Sequence, residues 1–302
     1  MIDFECFCAN QKEPYRQLLM TSPRQGCEYS PANLCMWGRQ QGAFIEGCCV
    51  LFSHFNGRSV YPYPVGSGNR RGALEAILAD AKERGIPCRI SNMNPQDVEE
   101  LESWFPGKFH IRMDRDSFDY VYDIQALAEL KGRKFQKKRN HLNRFRAEHP
   151  QAQAVVLTKE RLPQAQAMVE AWYEKRKQDQ PELDFTLESV ALGRAFRHYE
   201  QLELEGMVLL EGEQVLAVTM GSRLSPDTYD IHFEKAITDG AYAAINQAFA
   251  QHLRQQHPQL QYLNREDDLG LEGLRQAKLS YNPHHMVEKY WACLEEELNR
   301  GN

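Results

Sequence analysis

Apolar positions along the chain recur in two spacings, alternate residues for strands and every third or fourth for helices, and together they predict two halves of similar layout. In the first half, spans 12–20 and 31–39 read as helices, the second with Ser30 as N-cap and Pro31 at its first position. Short runs at 43–46, 48–54 and 59–63 read as strands, with Asn56-Gly57 as a tight hairpin turn between the last two. Gly66-Ser67-Gly68-Asn69 then precedes an amphipathic helix over 71–84, with Leu74, Ile77, Leu78 and Ala81 on one face and Gly85 ending it. A strand at 87–90, a helix from Asn94 or Pro95 to about Trp104, and strands at 108–113 and 118–122 close this half.

The second half repeats the order more clearly. A strand at 154–157 and helices at 163–177 and 187–199 lead into three strands, 206–210, 214–222 and 228–235. Gly212-Glu213 and Ser225-Pro226-Asp227 supply the turns between them. A helix over 240–256, a strand at 260–264, a helix at 271–279 and a last strand at 285–294 follow. A three-stranded meander feeding a helix, then strand–helix–strand, is the layout of GNAT acyltransferases. The expected fold class is therefore α/β (α+β): two tandem GNAT-like domains, each a mixed central sheet flanked by helices. The expected division is a degenerate domain at 1–130, a basic linker helix at 131–150, and a second domain at 151–302 carrying the site.

Composition narrows the function classes. The chain has 302 residues, 26% charged, and no apolar run near the roughly 18–20 residues that cross a bilayer. Its start, MIDFECFCANQKEP, carries acids where a signal peptide carries cations, so a cytoplasmic location is expected. Eight cysteines show no paired CxxC spacing. Reduced thiols are expected, with Cys48 and Cys49 in the core, and no metal site.

Charge is uneven. The run KGRKFQKKRNHLNRFR, 131–146, holds eight Lys or Arg and no acid; without those eight cations the net charge of −6 would be −14. On a helical wheel Phe135, Leu142 and Phe145 form an apolar seam, and Arg133, Lys137, Asn140 and Arg144 lie opposite. With Lys138, Arg139 and His141 this face is a candidate for binding phosphates of tRNA, a nucleotide or lipid head groups; a solvated linker helix is the plain alternative.

Two further stretches carry chemistry. Alternation along 228–235 sets Asp230, His232 and Glu234 on one face, where a His and a Glu could move protons; a polar core network is the alternative. Asp239-Gly240 opens the next helix, whose free N–H groups could receive the phosphate of acyl-CoA, though Asp239 would repel it. At the C-terminal end of the 260–264 strand, Asn264, Arg265, Glu266 and Asp267 stand in succession, followed by Arg275, Lys278 and Tyr281. A carboxylate there could hold a substrate ammonium or act as base, and a cation could steady an oxyanion.

The segments GRKFQKKRNHLNRF, HFEKA…DGAYAAINQAF and LNREDDLGLEGLRQAKLSYNP resemble the phosphatidylglycerol lysyltransferase C-terminal-domain family. The stretches 28–37 and 115–120 are similar to it too. The resemblance implies a tandem GNAT fold shared with Fem-type aminoacyltransferases. It also implies transfer of an aminoacyl group from charged tRNA, without the membrane-embedded N-terminal part of characterised relatives. Glu266, Asp267, His232 and Glu234 are then the expected catalytic set. Asn264, Arg265, Arg275, Lys278, Tyr281, Asp239, Gly240, Tyr242 and Asn246 are expected to bind substrate. Arg133, Lys137, Lys138, Arg139, Asn140, His141 and Arg144 are expected to bind tRNA. The co-substrate is aminoacyl-tRNA or acyl-CoA, the acceptor a small molecule or peptide, with peripheral membrane contact left open. A CoA-dependent N-acetyltransferase and a non-catalytic RNA- or partner-binding module are the alternatives.

Overall fold

A computed structural model describes residues 1–38, 40–55, 57–182 and 184–294. Asn56 of the expected hairpin turn and Arg39 at the end of the second expected helix lie outside them. The strands are β1 (Glu5–Cys6), β2 (Gln41–Ile45), β3 (Cys48–Phe55), β4 (Arg58–Pro62), β5 (Arg89–Met93), β6 (Phe109–Met113), β7 (Asp119–Asp123), β8 (Gln153–Val156), β9 (Glu205–Glu211), β10 (Gln214–Arg223), β11 (Thr228–Ala236), β12 (Tyr262–Asn264), β13 (His285–Val287) and β14 (Tyr290–Leu294). The α-helices are α1 (Lys12–Thr21), α2 (Pro31–Met36), α3 (Arg70–Arg84), α4 (Pro95–Trp104), α5 (Ile124–Glu129), α6 (Gln136–Glu148), α7 (Leu162–Asp179), α8 (Thr186–Arg197), α9 (Ala241–Gln256) and α10 (Glu272–Leu279).

The strands form two mixed seven-stranded sheets of the GNAT type, in orders β1-β2-β3-β4-β5-β14-β6 and β13-β7-β12-β11-β10-β9-β8. Two compact units result. The first comprises Met1–Asp119, Asp267–Leu274 and the chain from Met286 onward; the second comprises Tyr120–Glu266 and Arg275–His285. Each sheet thus contains a strand from the distant half of the chain. β14 pairs antiparallel with both β5 and β6, and β7 pairs antiparallel with β12. The single strand expected over 285–294 is in fact two, broken at Glu288-Lys289, with β13 in one sheet and β14 in the other. The basic helix α6 belongs within the second unit, packed on α9, rather than standing between contiguous domains.

In the first unit, α3 starts where the Asn69 side chain accepts from Gly72 N (3.0 Å) and stops at left-handed Gly85. Its Leu74, Ile77 and Ala81 meet Val50, Tyr61 and Ile90 in the core, which also takes Cys48 and Ala292 of β14. In the second unit, α9 buries Ile245, Phe249 and Leu253 against β9 and β10. Phe135, Leu142 and Phe145, the apolar seam of the basic run, are all buried. No helix among the described residues is long and apolar enough to cross a membrane.

Candidate active site

In the second unit the central strands β11 and β12 run parallel from Thr228–Tyr262 to Asp230–Asn264. A β-bulge sits just beyond. The β10 partners pass from Met220–Phe233 to Gly221–Ile231, so His232 is left without one. Gly221 permits this, because a Cβ there would lie 2.1 Å from Asp230 O. The bulge aims the buried His232 ring along its own strand. Its Nδ1 lies 3.4 Å from Asp230 Oδ2 and 3.3 Å from Glu266 Oε1, and its Nε2 lies 2.8 Å from Ser222 Oγ. Two carboxylates thus stand beside Nδ1, and the Ser222 hydroxyl is the hydrogen-bond partner of Nε2.

Glu266 reaches this ring from an unusual backbone. Its φ is +58°, a left-handed conformation costly for a bulky residue. Asn264 holds it, with Oδ1 accepting from Glu266 N at 2.7 Å, while Arg265 N donates to Tyr120 O and Tyr120 N donates to Glu266 O. The turn points Arg265 and Glu266 to separate tasks.

Arg265 takes up the other carboxylate of β11. Its Nη2 donates to Glu234 Oε1 (2.8 Å), and Asn246 Nδ2 donates to Glu234 Oε2 (3.3 Å). The guanidinium lies 4.8 Å from the Tyr281 ring centroid and 5.6 Å from that of Tyr122. Burial pushes the Tyr281 phenol up to about 12, partly offset by Arg265, so it stays a neutral hydroxyl. Lys278 Nζ donates to Arg265 O, and Tyr122 Oη donates to Lys278 O (2.8 Å), which ties α10 to the turn. Buried polar atoms around Glu234 remain without a hydrogen-bond partner among the described residues: Arg265 Nη1, Asn246 Oδ1 and Thr219 Oγ1. Thr219 stands directly opposite Glu234 across the β10–β11 pair. Buried orphans of this kind cost about 1–3 kcal/mol each, and they gather where a ligand would pair them.

The cations of the basic run divide by use. Arg133, Lys137 and His141 are exposed. Arg139 is consumed locally, with Nη1 donating to Leu130 O (2.5 Å) and Gly132 O (2.6 Å) beyond the end of α5. Asn140 accepts from Gln136, and Arg144 pairs with Asp239 at 2.8 Å. Lys138 points inward, its Nζ 3.7 Å from the Tyr281 ring centroid. Gly240, at the N-terminus of α9, is covered by α6: a Cβ there would lie 2.6 Å from His141 O and 2.9 Å from Phe145 Cβ. Tyr242, on the first turn of α9, has its phenol pushed up by burial and by Glu234.

Two expected residues remain. Arg275 is half-buried on α10. Asp267 falls in the first unit, where its charge acts on Lys289. Lys289 is 1% exposed in a cluster the sequence did not suggest. Its Nζ donates to Asp119 Oδ1 (2.6 Å), pairs with Glu28 Oε1 and lies 3.7 Å from Cys27 Sγ. Cys27 N donates to Asp119 Oδ2 (2.7 Å). Cys27, Glu28 and Asp119 are close enough to share a cation, as are Asp230, His232 and Glu266; in the first cluster the Lys289 ammonium holds that place. Ser222, Tyr122 and Thr219 were missed as well, since a hydroxyl on an apolar strand carries no pattern of its own.

Comparison with known proteins places the chain. Residues 20–293 match the family described as "Phosphatidylglycerol lysyltransferase, C-terminal". A conserved protein of unknown function from Bacteroides thetaiotaomicron has the same architecture, with a TM-score of 0.92 at 36% identity over 98% of this chain and 100% of that one. L-PGS from Bacillus licheniformis is similar in fold, with a TM-score of 0.66 at 15% identity, covering 94% of this chain and 91% of that one. An uncharacterized protein of Mycoplasmoides gallisepticum is 26% identical over 63% of this chain, and the match covers less than two thirds of that relative, 61%. A match over nearly the whole length, joined to the same paired GNAT-type sheets, makes this chain a member of the phosphatidylglycerol lysyltransferase C-terminal family.

Proposed function

We propose that this acyltransferase-type protein moves an aminoacyl group from tRNA to an amine or hydroxyl of a small-molecule or peptide acceptor, using the second unit. The observation that carries this reading is the set of unpaired polar atoms around Glu234. Arg265 Nη1 is a donor suited to an ester carbonyl, and Asn246 Oδ1 beside the Glu234 carboxylate is suited to an α-ammonium. An aminoacyl ester presents both groups on adjacent carbons. The guanidinium would also stabilise the negative oxygen that forms when the ester is attacked. Holding two substrates together supplies most of the remaining rate.

Docking of the tRNA falls to the exposed cations Arg133 and Lys137 with His141. Acyl-CoA as donor is disfavoured, because the α9 N-terminus that would take its pyrophosphate is covered by His141 and Phe145. The test is incubation of the protein with a labelled aminoacyl-tRNA pool and cell extract, followed by analysis of labelled products. Label appearing in a non-tRNA product supports the reading. Absence of product, with acetyl-CoA raising the melting temperature, would replace it with CoA-dependent acetylation. Binding of tRNA without any product would leave an RNA-binding module. Replacing Arg133 and Lys137 by Glu should weaken tRNA binding and reduce its salt dependence, by roughly one unit of slope for each phosphate no longer neutralised.

A further inference from the structure

We propose that Lys138 is the proton acceptor of the transfer step, a role distinct from the phosphate binding of its neighbours on α6. It rests on the acyl-transfer reading above.

Three observations set Lys138 apart. Arg133 and Lys137 are exposed and Arg139 and Arg144 are spent on protein partners, whereas Lys138 is half-buried. Its ammonium makes no hydrogen bond or ion pair among the described residues and rests 3.7 Å from the Tyr281 ring centroid. The Arg265 guanidinium addresses the same ring at 4.8 Å, next to Glu234. A lysine meant only to bind phosphate gains nothing by leaving water for a site that already holds a guanidinium.

Two features of the surroundings favour the free amine, against the Tyr281 face, which favours the ammonium. Burial and then the Arg265 charge bring the Lys138 pKa down to about 8, with Glu234 opposing them in part. The groups that face it are Glu234 from β11, Arg265 from the turn after β12, and the Tyr281 ring, whose phenol burial keeps neutral. Near pH 8 about half of the molecules carry a neutral amine there, against under one in a hundred for an exposed lysine.

The step balances with these groups alone. The acceptor X–H attacks the ester carbonyl, the C–X bond forms, and its proton passes to Lys138 Nζ. Arg265 holds the resulting oxyanion. Collapse breaks the bond to the ribose oxygen, which takes the proton back from the Lys138 ammonium, and tRNA leaves with its terminal hydroxyl restored.

The test pairs transfer with direct titration. Lys138→Arg keeps the charge but cannot release a proton near neutrality. It should lower transfer from labelled aminoacyl-tRNA about 100-fold while tRNA binding and melting temperature stay as in the wild type. The wild-type transfer rate should rise with pH and level off above about 8. Acetic anhydride labelling read by mass spectrometry should reach its midpoint for Lys138 near that same pH, about two units below exposed lysines. Transfer retained within threefold in Lys138→Arg, or a labelling midpoint near 10, overturns the role. No transfer by the wild-type protein removes the acyl-transfer reading itself, and this role with it.

Discussion

Replacing Lys289 by Met tests whether the buried cluster of the first unit is a structural staple. The methionine nearly conserves volume, so the change removes a charge rather than opening a cavity. What it leaves is two carboxylates and a thiol without a cation: Asp119 is fully buried, and Glu28 Oε2 already lacks a hydrogen-bond partner. Breaking a buried pair by removing one member costs about 3–5 kcal/mol, because the surviving charge stays desolvated. At about 2–4 °C per kcal/mol for a chain of this size, the melting temperature should fall by about 6–20 °C. The sign with pH follows from Glu28. Burial raises its pKa from 4.5 to about 7, even with Lys289 lowering it. The folded state therefore holds a proton that the unfolded chain has released, and stability is lost as pH rises from 4.5 through about 7. Without Lys289 the carboxyl rises further, so the penalty should be smaller at pH 5 than at pH 8. Melting followed by circular dichroism at both values measures it. A loss below about 1 kcal/mol, equal at the two pH values, would refute the staple.

Three other outcomes follow from the geometry. Arg265→Lys keeps a charge but loses the planar fork that reaches Glu234 and a second partner together; transfer should drop about 100-fold or more while the fold stays intact, read by product formation against circular dichroism. Gly240→Ala forces a Cβ to within 2.6 Å of His141 O at a φ of +76°, so it should destabilise by about 1–3 kcal/mol in denaturant titration. Arg24→Met should lower stability by several kcal/mol through loss of the buried Asp97 pair, yet leave the transfer rate per folded molecule unchanged.

Local pattern carried the element order and the apolar seam of α6, because both depend on neighbours within a few residues. It also drew attention to His232, Glu234 and Arg265, since polar side chains on central strands need partners. The strand exchange was not legible. Nothing within Phe118–Asp123 or Tyr290–Leu294 states which sheet an extended segment will join, and pairing energy is nearly indifferent to chain distance. Lys289 read as part of a single strand for the same reason; its burial follows from Asp119 and Glu28, which lie 170 and 261 residues away in sequence. Lys138 was hidden differently. Among eight cations in sixteen positions, helical spacing alone cannot show that one side chain turns to an aromatic ring supplied by residue 281.

The same device, an arginine among tyrosines beside a carboxylate, occurs in both units and is used in opposite ways. In the first unit Arg24 lies 5.3 Å from the ring centroids of both Tyr29 and Tyr63, and its nitrogens are satisfied by Asp97 Oδ2 at 2.5 Å and Pro64 O at 3.1 Å. The glycine loop before α3 is filled as well: a Cβ on Gly68 would lie 2.1 Å from Glu46 O, and one on Gly66 2.8 Å from Gly47 O. The Arg24 side chain is buried and both of its named donors are paired, so a ligand would have to break those contacts to reach it. In the second unit Arg265 keeps Nη1 unpaired beside unpaired acceptors on Asn246 and Thr219. Unpaired buried groups are tolerated only where something offsets their cost, and a substrate that satisfies donor and acceptors at once does so most where the oxyanion forms. In the first unit the arginine is spent on protein partners, whereas in the second it keeps an unpaired donor, as the proposed transfer site requires.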